Sequence, residues 1–121
     1  MESLSSISNI MKSKDFFYIL THMYPDGDAL GSAFALCRVF QKMGKRAKVL
    51  CNDPIPTKFE FLSEFVEKEQ FEPEYIISVD LAETTLLGPN LEKYKSKIDM
   101  CIDHHQSNTN FAKVSYVDET A

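Results

Sequence analysis

The sequence predicts an α/β fold, a three-layer, Rossmann-like, mostly parallel sheet with helices on both faces. Three observations lead there. Short runs at 16–21, 47–51, 75–81 and 98–102 have the length and the aromatic or β-branched content of buried strands. The first of them is apolar at successive positions, as a strand covered on each side requires. Between the runs lie helical patterns, or enough chain for a crossover to a parallel neighbour, such as the 22 residues that separate Asp80 from Asp103.

The elements follow in order. Leu4, Ile7, Ile10 and Met11 recur at helical spacing, so residues 2–14 form an amphipathic helix laid on one face of the sheet. A first strand runs to Thr21. Residues 29–43 then place Leu30, Ala33, Phe34, Cys37, Phe40 and Met43 on one apolar stripe, and Gly44 ends that helix as a C-terminal cap. A second strand at 47–51 leads into Asn52-Asp53-Pro54-Ile55-Pro56, which two prolines keep out of helix. Residues 58–71 form a helix or helical turn against the core, with solvated glutamates. Strands at 75–81 and 98–102 end in acids, Asp80 and Asp103, and residues 112–117 add a last strand.

At 121 residues the chain fits one domain, which buries roughly two-thirds of the surface its unfolded form exposes. With 44% hydrophobic and 26% charged residues the composition is that of an ordinary globular protein. The net charge of -5 argues against holding long nucleic acid on a broad basic surface, though it leaves nucleotides open. Cys37, Cys51 and Cys101 form no C-x-x-C pair and are read as small buried hydrophobes. No apolar leader stands at 1–15 and no run of 18 apolar residues follows, so the reading is a cytoplasmic protein without membrane association.

The chemistry concentrates in the strand-to-helix turn at 22–32, His-Met-Tyr-Pro-Asp-Gly-Asp-Ala-Leu-Gly-Ser. In an open parallel sheet, ligands bind outside the carboxyl ends of strands. Within seven residues this turn carries His22, Asp26 and Asp28, a ligand set for a hard or borderline divalent cation. Pro25 fixes one dihedral and Gly27 is expected to take a positive φ, so that the two carboxylates leave the turn in different directions. The alternative is an ordinary Pro-Asp-Gly turn with Asp28 as the helix N-cap. Asp80 and the Asp103-His104-His105 run finish strands at the same edge, and all three histidines of the chain fall among these strand ends.

These residues resemble a known family. His22-x-x-Pro25-Asp26-Gly27-Asp28-Ala29-x-Gly31-Ser32, Val79-Asp80 and Asp103-His104-His105-x-x-Asn108 resemble the first three motifs of the DHH phosphoesterase superfamily. Within it the wording is most similar to the oligoribonuclease and pAp-phosphatase (nanoRNase) branch. The likeness implies two Mn²⁺ ions, with Mg²⁺, Co²⁺ or Zn²⁺ as substitutes. His22 and Asp26 would hold one ion, Asp28 and His104 the other, and Asp80 would bridge them. Asp103 would accept from the His104 ring and fix it, and His105, with Asn108, would face the substrate phosphate. It also implies phosphoester hydrolysis of pAp or short single-stranded RNA, by a hydroxide shared between two cations about 3.5 to 4 Å apart. Pyrophosphatases, RecJ-type exonucleases and cyclic-dinucleotide phosphodiesterases share the scaffold. A metal- or nucleotide-binding module without turnover is the reading from another class, and a homodimer is open.

In that family a fourth acidic motif and a smaller substrate-binding domain follow. Asp118 and Glu119 come too soon after Asp103 to match that motif. The expectation is therefore that residues 1–121 form a catalytic N-terminal domain that is incomplete, with weak metal retention and little turnover on its own.

Overall fold

Five short apolar segments carry the fold. In the computed structural model, which describes residues 4–66, 70–81, 83–103, 112 and 114–117, they are β1 (Phe17–Leu20), β2 (Ala47–Leu50), β3 (Tyr75–Val79), β4 (Met100–Asp103) and β5 (Val114–Val117). They form one sheet in the order β2-β1-β3-β4-β5, and every neighbouring pair is parallel. β1 and β3 are buried at every position, as continuous apolar runs demand.

Alternation along the strands sorts their side chains onto two faces. On one, Phe17, Ile19, Tyr75, Ile77, Val79 and Met100 meet Ile7 of helix α1 (Leu4–Ser13) and Ala33, Cys37 and Phe40 of helix α2 (Gly27–Lys42). The Phe17 and Phe40 rings stack with centroids 3.8 Å apart. On the other, Tyr18, Leu20 and Ile76 pack with Leu81, Leu87, Leu91 and Ile98. The layers covering that second face are 3-10 segments, Thr84–Leu87 and Pro89–Tyr94, so the expected third layer is present but wound more tightly than the helix expected there. Gly88 joins them at φ +92, and a Cβ there would stand 2.5 Å from Asn52 Cγ. Both facts require glycine. The stretch at 58–71, expected as a helix or helical turn, is a 3-10 segment over Thr57–Phe65.

Helix α2 starts earlier than its apolar stripe suggests. Asp26, in extended conformation, caps it by accepting a hydrogen bond from Ala29 N, so the N-cap is Asp26 and not Asp28. Gly27 is the first helical residue, and the positive φ expected of it belongs instead to Tyr24 at +52. Gly27 is small for another reason, since a Cβ there would lie 3.0 Å from the Phe59 ring. At the other end Gly44 does take the left-handed conformation, φ +82, while Met43 sits at the cap and is exposed rather than on the buried stripe.

Cys37 and Cys101 are buried, Cys51 half-buried, and all three are free thiols. Burial pushes the Cys37 thiol up to about 11, which keeps it protonated and inert at neutral pH. No helix among the described residues is long and apolar enough to cross a membrane.

Candidate metal centre

The order β2-β1-β3-β4-β5 has a topological switch point between β1 and β3. From β1 the chain goes through α2 to β2 on one side, then returns to β3 on the other. The crevice at the carboxyl ends of these two strands is where such sheets bind ligands. His22 leaves it from β1, Asp26 from the N-terminus of α2 and Asp80 from β3.

One ligand atom from each of these three residues lies within 4.8 Å of the other two, and among the described residues this is the group able to hold a metal ion. His22 Nδ1 is 2.8 Å from the Met23 carbonyl oxygen. A carbonyl can only accept, so Nδ1 carries a proton, and in the neutral ring Nε2 keeps its lone pair. That nitrogen faces Asp80 Oδ2 at 3.6 Å, too long for a hydrogen bond. Donors on one ion at about 2.0 to 2.2 Å each stand no more than about 4.4 Å apart, so this separation suits two ligands of a shared cation. The donor set, one neutral imidazole and two carboxylates, fits a divalent ion of the Mn, Fe, Co or Zn type.

Each candidate ligand is held by its own local structure. Asp80 sits just past β3 with φ +54, a conformation rare outside glycine but tolerated by Asp, and its N–H donates to the Ile102 carbonyl across to β4. Strain of this kind persists where surrounding structure over-determines it, and it clusters at functional sites. Asp26 spends Oδ1 on the Ala29 N–H, and the cap thereby fixes the carboxylate. The turn itself is pinned from outside, by Met23 N donating to Leu86 O at 2.7 Å and Tyr24 N donating to Asp53 Oδ2 at 2.7 Å. Asp53 belongs to none of the motifs in the sequence. Its only signal was an Asn-Asp-Pro turn at the end of a strand, which is also ordinary loop composition.

The remaining expected residues distribute as follows. Asp28 lies exposed in the first turn of α2 and outside the three-residue group. Asp103 ends β4 and is 5% exposed, and it lies level with Asp80, since each is one residue past the Val79–Ile102 pair. His104, His105 and Asn108 lie outside the described residues, as does Asp118. A cleft of about 420 Å³ opens beside the turn, lined by Met23, Thr84, Thr85, Glu92 and Lys95 among others. A larger one, about 660 Å³ between α2, β2 and Thr57–Phe65, is lined by none of the site residues.

Comparison with known proteins bears on the family and the fold. The model of the DHH family, N-terminal domain, matches residues 16–121. The bifunctional oligoribonuclease and PAP phosphatase NrnA of Thermus thermophilus is 31% identical over 97% of this chain, which corresponds to 36% of that protein. The protein of the same name from Mycoplasma pneumoniae is 29% identical over 95% of this chain and 40% of its own length. The chain thus spans well under half the length of these relatives. In fold it is similar to an exopolyphosphatase-related protein from Bacteroides fragilis, with a TM-score of 0.77 at 18% identity, over 95% of this chain and 38% of the other.

Proposed function

Because the chain belongs to the DHH family, its N-terminal domain covering residues 16–121, we propose that it contributes the metal-binding half of a phosphoester hydrolase acting on pAp or short oligoribonucleotides. The observation that carries this is the convergence of His22, Asp26 and Asp80 at the β1/β3 switch point. The NrnA relatives favour this substrate class over other phosphoesters.

His22, Asp26 and Asp80 would hold one divalent cation, with Asp28 and His104 positioned by the family motif for a second. Bound divalent cations supply a water that ionises near neutral pH and a clamp on phosphoryl oxygens. The chain's own residues do the rest. Asp26 and Asp80 would lend negative charge to retain a cation, and His22 would present Nε2 because Met23 O holds the other nitrogen. His105 would donate to a phosphoryl oxygen and offset charge as it develops. The cleft beside Met23 gives a small nucleotide room next to the ligand turn.

The test is hydrolysis of pAp and of a short RNA oligonucleotide with Mn²⁺, in the parent and in His22→Ala and Asp80→Ala. The parent, here the whole enzyme to which this domain contributes, is expected to hydrolyse both, and each variant in it to lose more than about 100-fold, beyond what losses around a metal's ligands typically cost, while residues 1–121 alone turn over little. Parent-like activity in both variants would contradict the reading. Mn²⁺ binding without turnover in the parent would replace it by that of a binding module.

A further inference from the structure

Tyr24 adopts φ +52, yet its side chain is 78% exposed, so packing of its ring does not hold that conformation. Its N–H does, through the 2.7 Å hydrogen bond to Asp53 Oδ2. That N–H shares one peptide group with the Met23 carbonyl. No cis bond occurs among the described residues, and in a planar trans peptide the N–H and C=O bonds point in opposite directions. Fixing one end of the plane therefore fixes the other, and the other end is the oxygen that accepts from His22 Nδ1 at 2.8 Å.

We propose that Asp53 is a positioning residue for the metal-facing nitrogen of His22, acting through the single peptide plane between Met23 and Tyr24. This rests on the reading of His22 as a metal ligand. The carboxylate does two things at once. It sets the direction of the Met23 carbonyl, which selects the Nδ1–H tautomer and aims Nε2 at Asp80. It also polarises the peptide, because an ionised acceptor on the N–H strengthens the carbonyl as an acceptor at the opposite end. Metal-bound imidazoles commonly donate their second nitrogen to a carboxylate or a backbone carbonyl. Here the two are in series.

The loop that carries Asp53 is itself braced. Asn52 Nδ2 donates to Asp53 Oδ1 at 3.2 Å, and the Cys51 thiol donates to Asp53 O at 3.1 Å. Asn90 donates to Asn52 twice, from N to Oδ1 at 2.8 Å and from Nδ2 to O at 2.9 Å. Gly88 lets the two segments approach this closely. Both oxygens of Asp53 thus have defined donors, and the carboxylate has one orientation in which it meets Tyr24.

The experiment reads the His22 tautomer by ¹⁵N NMR in the metal-free full chain, at a pH where the ring is neutral, and Mn²⁺ affinity by calorimetry. Parent, Asp53→Ala, Asp53→Asn and Asn90→Ala are compared, the last cutting the side-chain bond from Nδ2 to Asn52 O in the same loop while leaving the carboxylate. The parent is expected to show Nδ1–H alone. Asp53→Ala is expected to mix tautomers and to bind Mn²⁺ about 10- to 100-fold more weakly. Asp53→Asn, whose amide oxygen accepts without charge, falls between, and Asn90→Ala stays near the parent. The proposal is overturned if Asp53→Ala keeps the parental tautomer, or if Asn90→Ala matches it in both readouts. Should Asp53→Ala not fold, Asp53→Asn decides, and parental values for it overturn the proposal. A parent that binds no Mn²⁺ defeats the metal reading alone, since the tautomer of the metal-free variants still reports on the plane.

Discussion

Asp26 has two duties that can be separated. As N-cap it satisfies the Ala29 N–H, and as a carboxylate it belongs to the ligand group. Removing it as Asp26→Ala is expected to cost about 1 kcal/mol of stability from the cap alone. Asp26→Ser should restore most of that, because serine caps as well, yet leave the metal response absent. Urea unfolding with and without Mn²⁺ distinguishes the two. A second residue-scale prediction concerns Gly88→Ala, which meets both a left-handed φ and the Asn52 side chain. It should lose about 1 to 3 kcal/mol in the same assay. His22, Asp26 and Asp80 were legible in the sequence because each follows a strand end, where a parallel sheet puts its ligand crevice. The roles of Gly27 and Asp53 were not. The first depends on Phe59 from a different segment, and the second on a hydrogen bond spanning 29 residues.

Among the elements, strands and helix α2 could be read from apolar periodicity, since burial on a fixed face leaves a mark in the sequence. The 3-10 segments could not. At Thr84–Leu87 and Pro89–Tyr94 the chain is too short between turns to show a period, and Gly88-Pro89 interrupts it. The core side of the account predicts that Phe40→Ala, which removes a ring stacked on Phe17 and 1% exposed, costs about 3 to 5 kcal/mol. The entry to the sheet gives a pH prediction. Asp15 Oδ1 accepts from Arg46 N at 2.8 Å and from Phe16 N at 2.7 Å, tying the start of β1 to that of β2. The bond from Arg46 holds the Asp15 carboxyl below its ordinary value. A carboxylate whose folded pKa is depressed contributes stability that is complete above the unfolded value, near 3.8, and disappears as pH falls through the folded one. Asp15→Asn should therefore be less stable than the parent at neutral pH, with the gap narrowing below about pH 4. Thermal melts across that range check it.

At the scale of the molecule, the switch point between β1 and β3 makes one crevice from residues 58 positions apart, His22 and Asp80. That convergence is the claim on which the functional reading stands. An ion bound only by the folded form must stabilise it by mass action. The most direct measurement is the unfolding free energy of the parent and of His22→Ala as Mn²⁺ is raised. The parent should gain about 1.4 kcal/mol for each tenfold rise above its dissociation constant, reaching about 2.7 kcal/mol at a hundredfold excess, and His22→Ala should not respond over the same range. A parent whose stability is indifferent to Mn²⁺, or a variant that gains as much, would contradict the account.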